Sequence, residues 1–466
     1  MASIPRRLVP ALILAGALSA QTPIGMLISE QSRSAFTTEG AGARAMGLGG
    51  AFIAVADDAT AVSFNPAGLA QLLAPEVSLV GRGLQRRVGY EDFETTGRRR
   101  VLAVSDALAS STRFDPLFAS ATAPVRLGGR NLVLQLSIQR VFALGEHDSR
   151  ILHEDPVTPG SGVASQLQQN ISQSGQIDRY SLAAAYEVSQ RLLIGAGYNH
   201  WRGSWEISSF SRRTASSRST AVSFHQSNTL EGDNFNLGLI WRWPTWSLGL
   251  VRHTGFHADY SFATEVASDL TALGLTSPWV QTGLHWPAGT GLGWAYRPKE
   301  QWLITADAMQ TLWSTARYMS PSPTLNGRSF FDFERGTRTP NTTTAHLGVE
   351  YLWLTRNDSI IPLRAGLSRE PQPLVDGLTG EQRVIYRAAL GSGFKRGNTG
   401  VDIAYRYGWA KRRASQFLEV DQLLSKTPPT SVGIERIQEH RVDVSFIYKF
   451  DRQPVDRALR YLFVGD

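Results

Sequence analysis

Few residues in this chain are spaced for chemistry, and each candidate fails on its own terms. The run "GLGGAF", beginning at Gly47, has the first two glycines of a dinucleotide fingerprint. Phe52 stands where the third is needed, and no predicted strand precedes the run, so a phosphate cradle is not expected. His253 and His257 have the i, i+4 spacing of a helical metal pair. They lack the zinc-protease glutamate and a second carboxylate nearby, so a surface or lumen pair is expected, with no metal and no cofactor. Asp57 and Asp58 are adjacent acids that would suit proton transfer, but a capping role explains them without any substrate. No Gly-x-Ser-x-Gly elbow occurs, and Cys 0 excludes disulfides and thiolate chemistry. No catalytic residue is expected, and the chain reads as a non-enzyme.

The elements around these residues point elsewhere. Leu132, Leu134, Leu136 and Ile138 alternate with Asn131, Gln135, Ser137 and Gln139, which is the period of a strand with one apolar and one polar face. The same alternation recurs at Tyr180–Tyr186, Phe235–Trp241, Leu347–Trp353, Val401–Tyr407 and Val442–Phe450. Each run has roughly the ten residues that cross a bilayer as a tilted strand. Six short turns are predicted around Leu127–Arg130, Ser189–Gln190, Pro244–Thr245, Pro298–Glu300, Arg356–Ser359 and Arg396–Asn398, giving twelve strands. A first strand near Glu76–Val88 and a last near His440–Phe450 make fourteen. Long polar loops over 90–113, 143–175, 203–230, 257–286, 311–342, 369–383 and 410–435 would join the opposite ends. An even count with short turns on one side and long loops on the other suits an all-β transmembrane antiparallel barrel in the outer membrane. Soluble sandwiches would not place Tyr186, Tyr198, Tyr296, Trp353, Tyr407, Trp409 and Phe450 at or near strand ends, where interface girdles belong. Hydrocarbon offers no partner to a free backbone edge, so the first and last strands must pair.

Residues 1–20 have the layout of a secretory signal peptide: Arg6 and Arg7, an apolar run from Leu8 to Leu18, then Ser19 and Ala20. Residues 21–75, before the first strand, read as a plug at the barrel mouth. Glycine and alanine over 40–51 suit a chain laid against the wall. Asp57 or Asp58 is expected to cap a short helix through Val62, and Asn65 with Pro66 a second one. Strands fill 76–450, and residues 451–466 read as a periplasmic tail, the alternative being a rescuing aromatic signal through Phe463.

The stretch "GARAMGLGGAFIAVADDATAVSFNPAGLA" resembles the amino-terminal signature of the FadL/TodX family of outer-membrane transporters for hydrophobic compounds, which is shared with PorV-like relatives. The likeness continues in "LHWPAGTGLGWAYRPKEQWLITADAMQTLWS", "AHLGVEYLWL", "IPLRAGLSREPQP" and "VDIAYRYGW". It implies a fourteen-strand barrel with a hatch in its lumen. Asn65, Pro66 and Ala67 then stand at the family's Asn-Pro-Ala position, and Gly47, Gly49, Gly50, Asp57 and Asp58 belong to the hatch and its gating. The implied activity is passive transport of hydrophobic small molecules, long-chain fatty acids being the default cargo. Capture by outer loops leads to a pocket above the hatch, and the cargo leaves through a gap in the wall or through the lumen. The alternative is a PorV-like accessory of a protein-secretion machine, and a third class is a structural barrel or adhesin.

One loop offers a capture surface. Val266, Leu270 and Leu273 fall at i, i+4 and i+7 of a short helix predicted between Thr264 and Leu275, flanked by Phe262 and Trp279. The preceding serine- and arginine-rich loop has little apolar surface to form an opposite wall. The net charge of +7 does not imply nucleic-acid binding in an exported barrel. Its clusters, Arg98, Arg99 and Arg100, Arg212 and Arg213, and Lys411, Arg412 and Arg413, lie in or beside predicted outer loops, where they could pair with lipopolysaccharide phosphates. The expected partners are apolar cargo, outer-membrane lipid with its lipopolysaccharide, and the barrel-assembly machinery.

Overall fold

The computed structural model describes residues 40–95, 99–105, 109–156, 165–215, 218–269, 273–321, 323, 326–329, 339–357, 359–376, 379–416 and 431–451. The predicted signal peptide, residues 21–39 of the plug, nearly all of the tail with Phe463, and Arg98 and Leu270 lie outside them.

Fourteen antiparallel strands close into a barrel. They are β1 (Glu76–Thr95), β2 (Ala109–Leu127), β3 (Arg130–Ala143, continued by Glu146–Pro156), β4 (Ser165–Glu187), β5 (Leu192–Ala215), β6 (Arg218–Arg242) and β7 (Trp246–His253 with Phe256–Ser268). Then come β8 (Leu273–Trp286 with Gly289–Tyr296), β9 (Trp302–Thr311 with Arg317–Met319), β10 (Thr342–Leu354), β11 (Ile360–Val375), β12 (Gln382–Arg396), β13 (Thr399–Gln416) and β14 (Ser431–Lys449). A short segment, Arg99–Ser105, pairs with the continuation of β3. Closure runs from Glu76 opposite Lys449 to Thr95 opposite Ser431, so no edge is left along β1. All six short turns fall where the alternation stops. At the first, Gly128 and Gly129 have φ +59° and +77°, as a two-residue turn of the hairpin type requires.

The alternation is apolar outside and polar inside. Leu136 is 64% exposed on the outer face, while its neighbour Gln135 is 1% exposed in the lumen. Leu182, Leu237, Leu347, Leu390 and Ile403 are exposed likewise. Aromatic rings edge this band at the short turns: Trp241, Trp243 and Trp246 stack with centroids 4.7 and 3.6 Å apart, and Trp302 lies 4.9 Å from Tyr351. A second row holds Tyr198 with Phe235 and Tyr386 with Trp409. A closed sheet with an apolar outer band between two aromatic girdles is a transmembrane barrel of the bacterial outer membrane.

The barrel is taller on one side than the sequence suggests. β5 and β6 have 24 and 25 residues, whereas roughly nine to eleven suffice to cross a bilayer. Their hairpin stays paired up to Ala215 opposite Arg218, so the predicted polar loop over 203–230 is strand over 203–215 and 218–230. Most of the predicted loops over 143–175 and 257–286 are strand as well. The helix expected between Thr264 and Leu275 is replaced by the pairing of β7 with β8, in which Val266 faces Leu275. Hydrogen bonds to strands on both sides override the local helical spacing. Phe262 lies opposite Val280, which puts Trp279 on the other face of the sheet. Trp279 therefore faces away from Phe262 and Val266, and cannot flank a groove that those two line.

Candidate functional site

The hatch fills the lumen at the end that carries the short turns. It comprises a short helix, α1 (Ala43–Gly47), and two 3-10 turns, Ala61–Ser63 and Pro66–Gln71. The second turn begins as its residues dictate. Asn65 Oδ1 accepts from the Ala67 amide at 3.1 Å, Pro66 takes the first helical position, and Asn65 Nδ2 donates to the carbonyls of Ile53 and Leu239 at 3.0 and 3.2 Å. The N-cap falls two residues later than the expected Asp58. Thr60 is the N-cap of Ala61–Ser63, and Asp58 Oδ1 accepts from the Thr60 amide and hydroxyl at 2.9 and 2.6 Å instead.

Glycines on the wall let this backbone approach. A Cβ on Gly348 would stand 2.5 Å from the Leu48 carbonyl, and one on Gly293 would stand 2.7 Å from the Ala54 amide. Any side chain on Gly238 would overlap Asn65, and one on Gly366 would overlap Gly49. Gly49 and Gly50 have φ +68° and +90°, which lets the chain bend flat against β10 and β11. Between the glycines, polar side chains take the hatch's free backbone groups. Asp307 Oδ2 accepts from the amides of Phe52 and Ile53 at 2.5 and 2.7 Å, and Asn131 Nδ2 donates to the carbonyls of Ala70 and Leu72 at 2.9 and 2.8 Å.

A latch of charges joins hatch to barrel. Arg44 donates to both oxygens of Glu350, at 3.1 and 3.0 Å, and pairs with Asp57. Glu350 also receives Arg364, which reaches Asp402 at 2.7 Å. Asp57 is shared with Arg297 beside the β8–β9 turn. Burial pushes the Asp57 carboxyl up, but Arg44 and Arg297 outweigh it and hold the group below the usual aspartate range. Burial dominates at Asp58 and raises it. Above the latch the charged wall continues with Arg387 between Glu370 and Glu439, and with Glu435 between Arg383 and Arg412. Arg412 thus lies in the lumen, 2.7 Å from Glu435, and not at the outer rim. Its neighbours Lys411 and Arg413 are exposed on the outer face, and the backbones of Arg99 and Arg100 lie in the extra strand segment.

The opposite wall is aromatic. Strands β7, β8 and β9 break at one height, at Thr254–Gly255, Pro287–Ala288 and Leu312–Ala316, Pro287 having no amide to give to a ladder. Trp286 and Trp313 enter the lumen there, and Trp286 lies 5.8 Å from Phe142, 6.0 Å from Trp201 and 6.0 Å from Trp313. Between these rings and the hatch lies a cavity of about 140 Å³, with Phe64, Met46 and Ile53 as its floor and Trp201, Trp286 and Pro287 among its walls. Gln139 Oε1 accepts from Ser63 of the hatch at 2.8 Å and from Arg179 of the wall at 2.5 Å, so floor and wall share one acceptor. His253 reaches the cavity and bonds Asn236 at 2.7 Å, while the His257 ring lies tilted against His285 with centroids 5.0 Å apart; among the described residues no cluster fits a metal ion.

The structure therefore brings the hatch residues together and, of the described capture residues, puts Trp279 on the face opposite Phe262 and Val266. It adds Arg179, Trp201, Trp286, Asp307, Trp313 and Glu350, which the sequence reading did not single out. The signals were present: a proline inside the strand run at 287, and charges at inward positions 307 and 350.

These features define a class, the transmembrane barrel occluded by its own amino-terminal hatch. Within that class the fold is that of the FadL and TodX barrels. A Pseudomonas aeruginosa FadL homologue superposes with TM-score 0.67 at 15% identity, over 90% of this chain and 100% of that one. The Pseudomonas putida toluene transporter TodX gives 0.57 at 15% identity, over 89% and 99%. The Ralstonia pickettii toluene transporter TbuX gives 0.55 at 14% identity, over 89% and 100%. No protein-family model and no curated protein matches the sequence.

Proposed function

We propose that this protein is a passive route for hydrophobic small molecules across the outer membrane, with the hatch as its gate. The observation that carries the reading is the aromatic-walled cavity resting directly on the hatch. An apolar solute leaving water for such a pocket gains free energy in proportion to the surface it buries, so entry needs no energy input. Release then requires that the hatch shift, since Phe64, Met46 and Ile53 of the hatch form the cavity floor. The resemblance makes long-chain fatty acids the default cargo, and the solved neighbours include two toluene transporters. Lys411 and Arg413 are exposed on the outer face, on the side where lipopolysaccharide phosphates would lie.

The test is initial uptake of labelled fatty acid and labelled toluene by cells with and without the barrel, and with Ala67→Trp, which crowds the hatch against Gly195. Uptake that depends on the barrel and falls in the variant supports the reading. Uptake indifferent to the barrel overturns it, and copurification of exported proteins in that case would support the secretion-accessory role.

A further inference from the structure

The lumen holds many buried arginines, and the wall of β10–β14 pairs them with carboxylates, as in Arg364 with Glu350 and Asp402, or Arg412 with Glu435. Arg179, on β4, breaks the rule. It is 7% exposed, its Nη2 donates to the neutral Gln139 at 2.5 Å, and its guanidinium lies 5.7 Å from the centroid of the Trp201 ring. Its Nε has no hydrogen-bond partner, and among the described residues no carboxylate pairs with it. A desolvated cation without a counter-ion is costly, and this one borders the cavity. The other charges on that cavity are engaged. Glu370 receives Ser368 and Arg387, Arg406 lies 3.5 Å from Asp443, and Asp307 holds two hatch amides.

Size narrows the occupant further. A cavity of roughly 150 Å³ with apolar walls holds one benzene ring, and this one measures about 140 Å³. One ring fits against Trp201 and Trp286 with an anionic group on Arg179, whereas a long alkyl chain would have to extend out of the cavity. We propose that the cavity above the hatch is a binding site for single-ring aromatic carboxylates, with Arg179 as the carboxylate anchor. This deepens the transport reading and rests on it for the fate of the bound molecule.

The test is equilibrium dialysis of the purified full-length barrel in detergent against labelled benzoate, with methyl benzoate, toluene and palmitate as competitors. Benzoate is expected to bind saturably. Methyl benzoate, which keeps the ring and loses the charge, is expected to compete about tenfold or more less well. Arg179→Gln is expected to weaken benzoate by a similar factor while leaving toluene unchanged, and Arg179→Lys to restore part of the loss. Equal competition by methyl benzoate on the wild-type protein overturns the proposal whether or not the variants fold. So does wild-type benzoate affinity in a folded Arg179→Gln barrel, or palmitate displacing benzoate more strongly than methyl benzoate does. Any of these results would leave barrel-dependent uptake of other apolar compounds intact, whereas loss of all such uptake would strike the transport reading itself.

Discussion

Two adjacent aspartates in the hatch have opposite environments, and their chemistry separates them. Asp57 lies below the usual range because Arg44 and Arg297 outweigh its burial, so its contribution to hatch stability is present above the ordinary aspartate pKa and is lost as pH falls through the lowered value. Asp58 is raised by burial, so protonation relieves rather than costs it. Asp57→Asn is therefore expected to lower the hydrogen-exchange protection factors of the α1 amides at neutral pH, and strong acid should lower them in the wild-type protein. Asp58→Asn keeps an oxygen for the Thr60 amide and hydroxyl and should leave exchange unchanged or slower. The reverse order would refute the assignment. Removing Arg44 should loosen the hatch by up to roughly 3 kcal/mol, since Glu350 keeps Arg364 while Asp57 keeps the longer contact to Arg297.

At the scale of elements, the hatch is held by close approach to wall glycines as much as by its hydrogen bonds. Gly238→Val puts a side chain where Asn65 Oδ1 lies, and should displace the turn at Pro66–Gln71 without disturbing β6, whose pairing needs no side chain there. The expected result is a barrel that keeps its heat-modifiable gel shift but becomes sensitive to protease within 40–72. An intact, resistant hatch would show that the contact is slack. The strands, their turns and the Asn65–Pro66 cap were legible in the sequence because each depends on neighbours in the chain: period two, turn residues, a proline at a helix start. The aromatic chamber was not, because Phe142, Trp201, Trp286 and Trp313 meet only when four separate strands are assembled. The outer hairpins misled for the same reason. Serine and arginine in 203–230 resemble loop, yet cross-strand pairing with β4 and β7 keeps them in the sheet.

The molecule as a whole is a cylinder whose solvent preference is reversed, oily outside and charged within. Leu136→Arg on the outer face should cost roughly 2–4 kcal/mol if the position lies near the bilayer midplane, measured by urea unfolding from lipid vesicles. A cost near zero would place Leu136 outside the hydrocarbon. Deleting residues 40–72 should leave closure of β1 on β14 untouched and raise single-channel conductance, because the wall bonds that seal the barrel do not pass through the hatch. Conductance unchanged from the intact protein would mean that something besides the hatch occludes the lumen. The belt of missing methyl groups at Gly238, Gly293, Gly348 and Gly366 works like the wards of a lock, cut to admit one key in one rotation. A related barrel that restores a methyl at any of these places must carry a matching retreat in its own stopper, so substitutions in the two parts should be inherited in pairs.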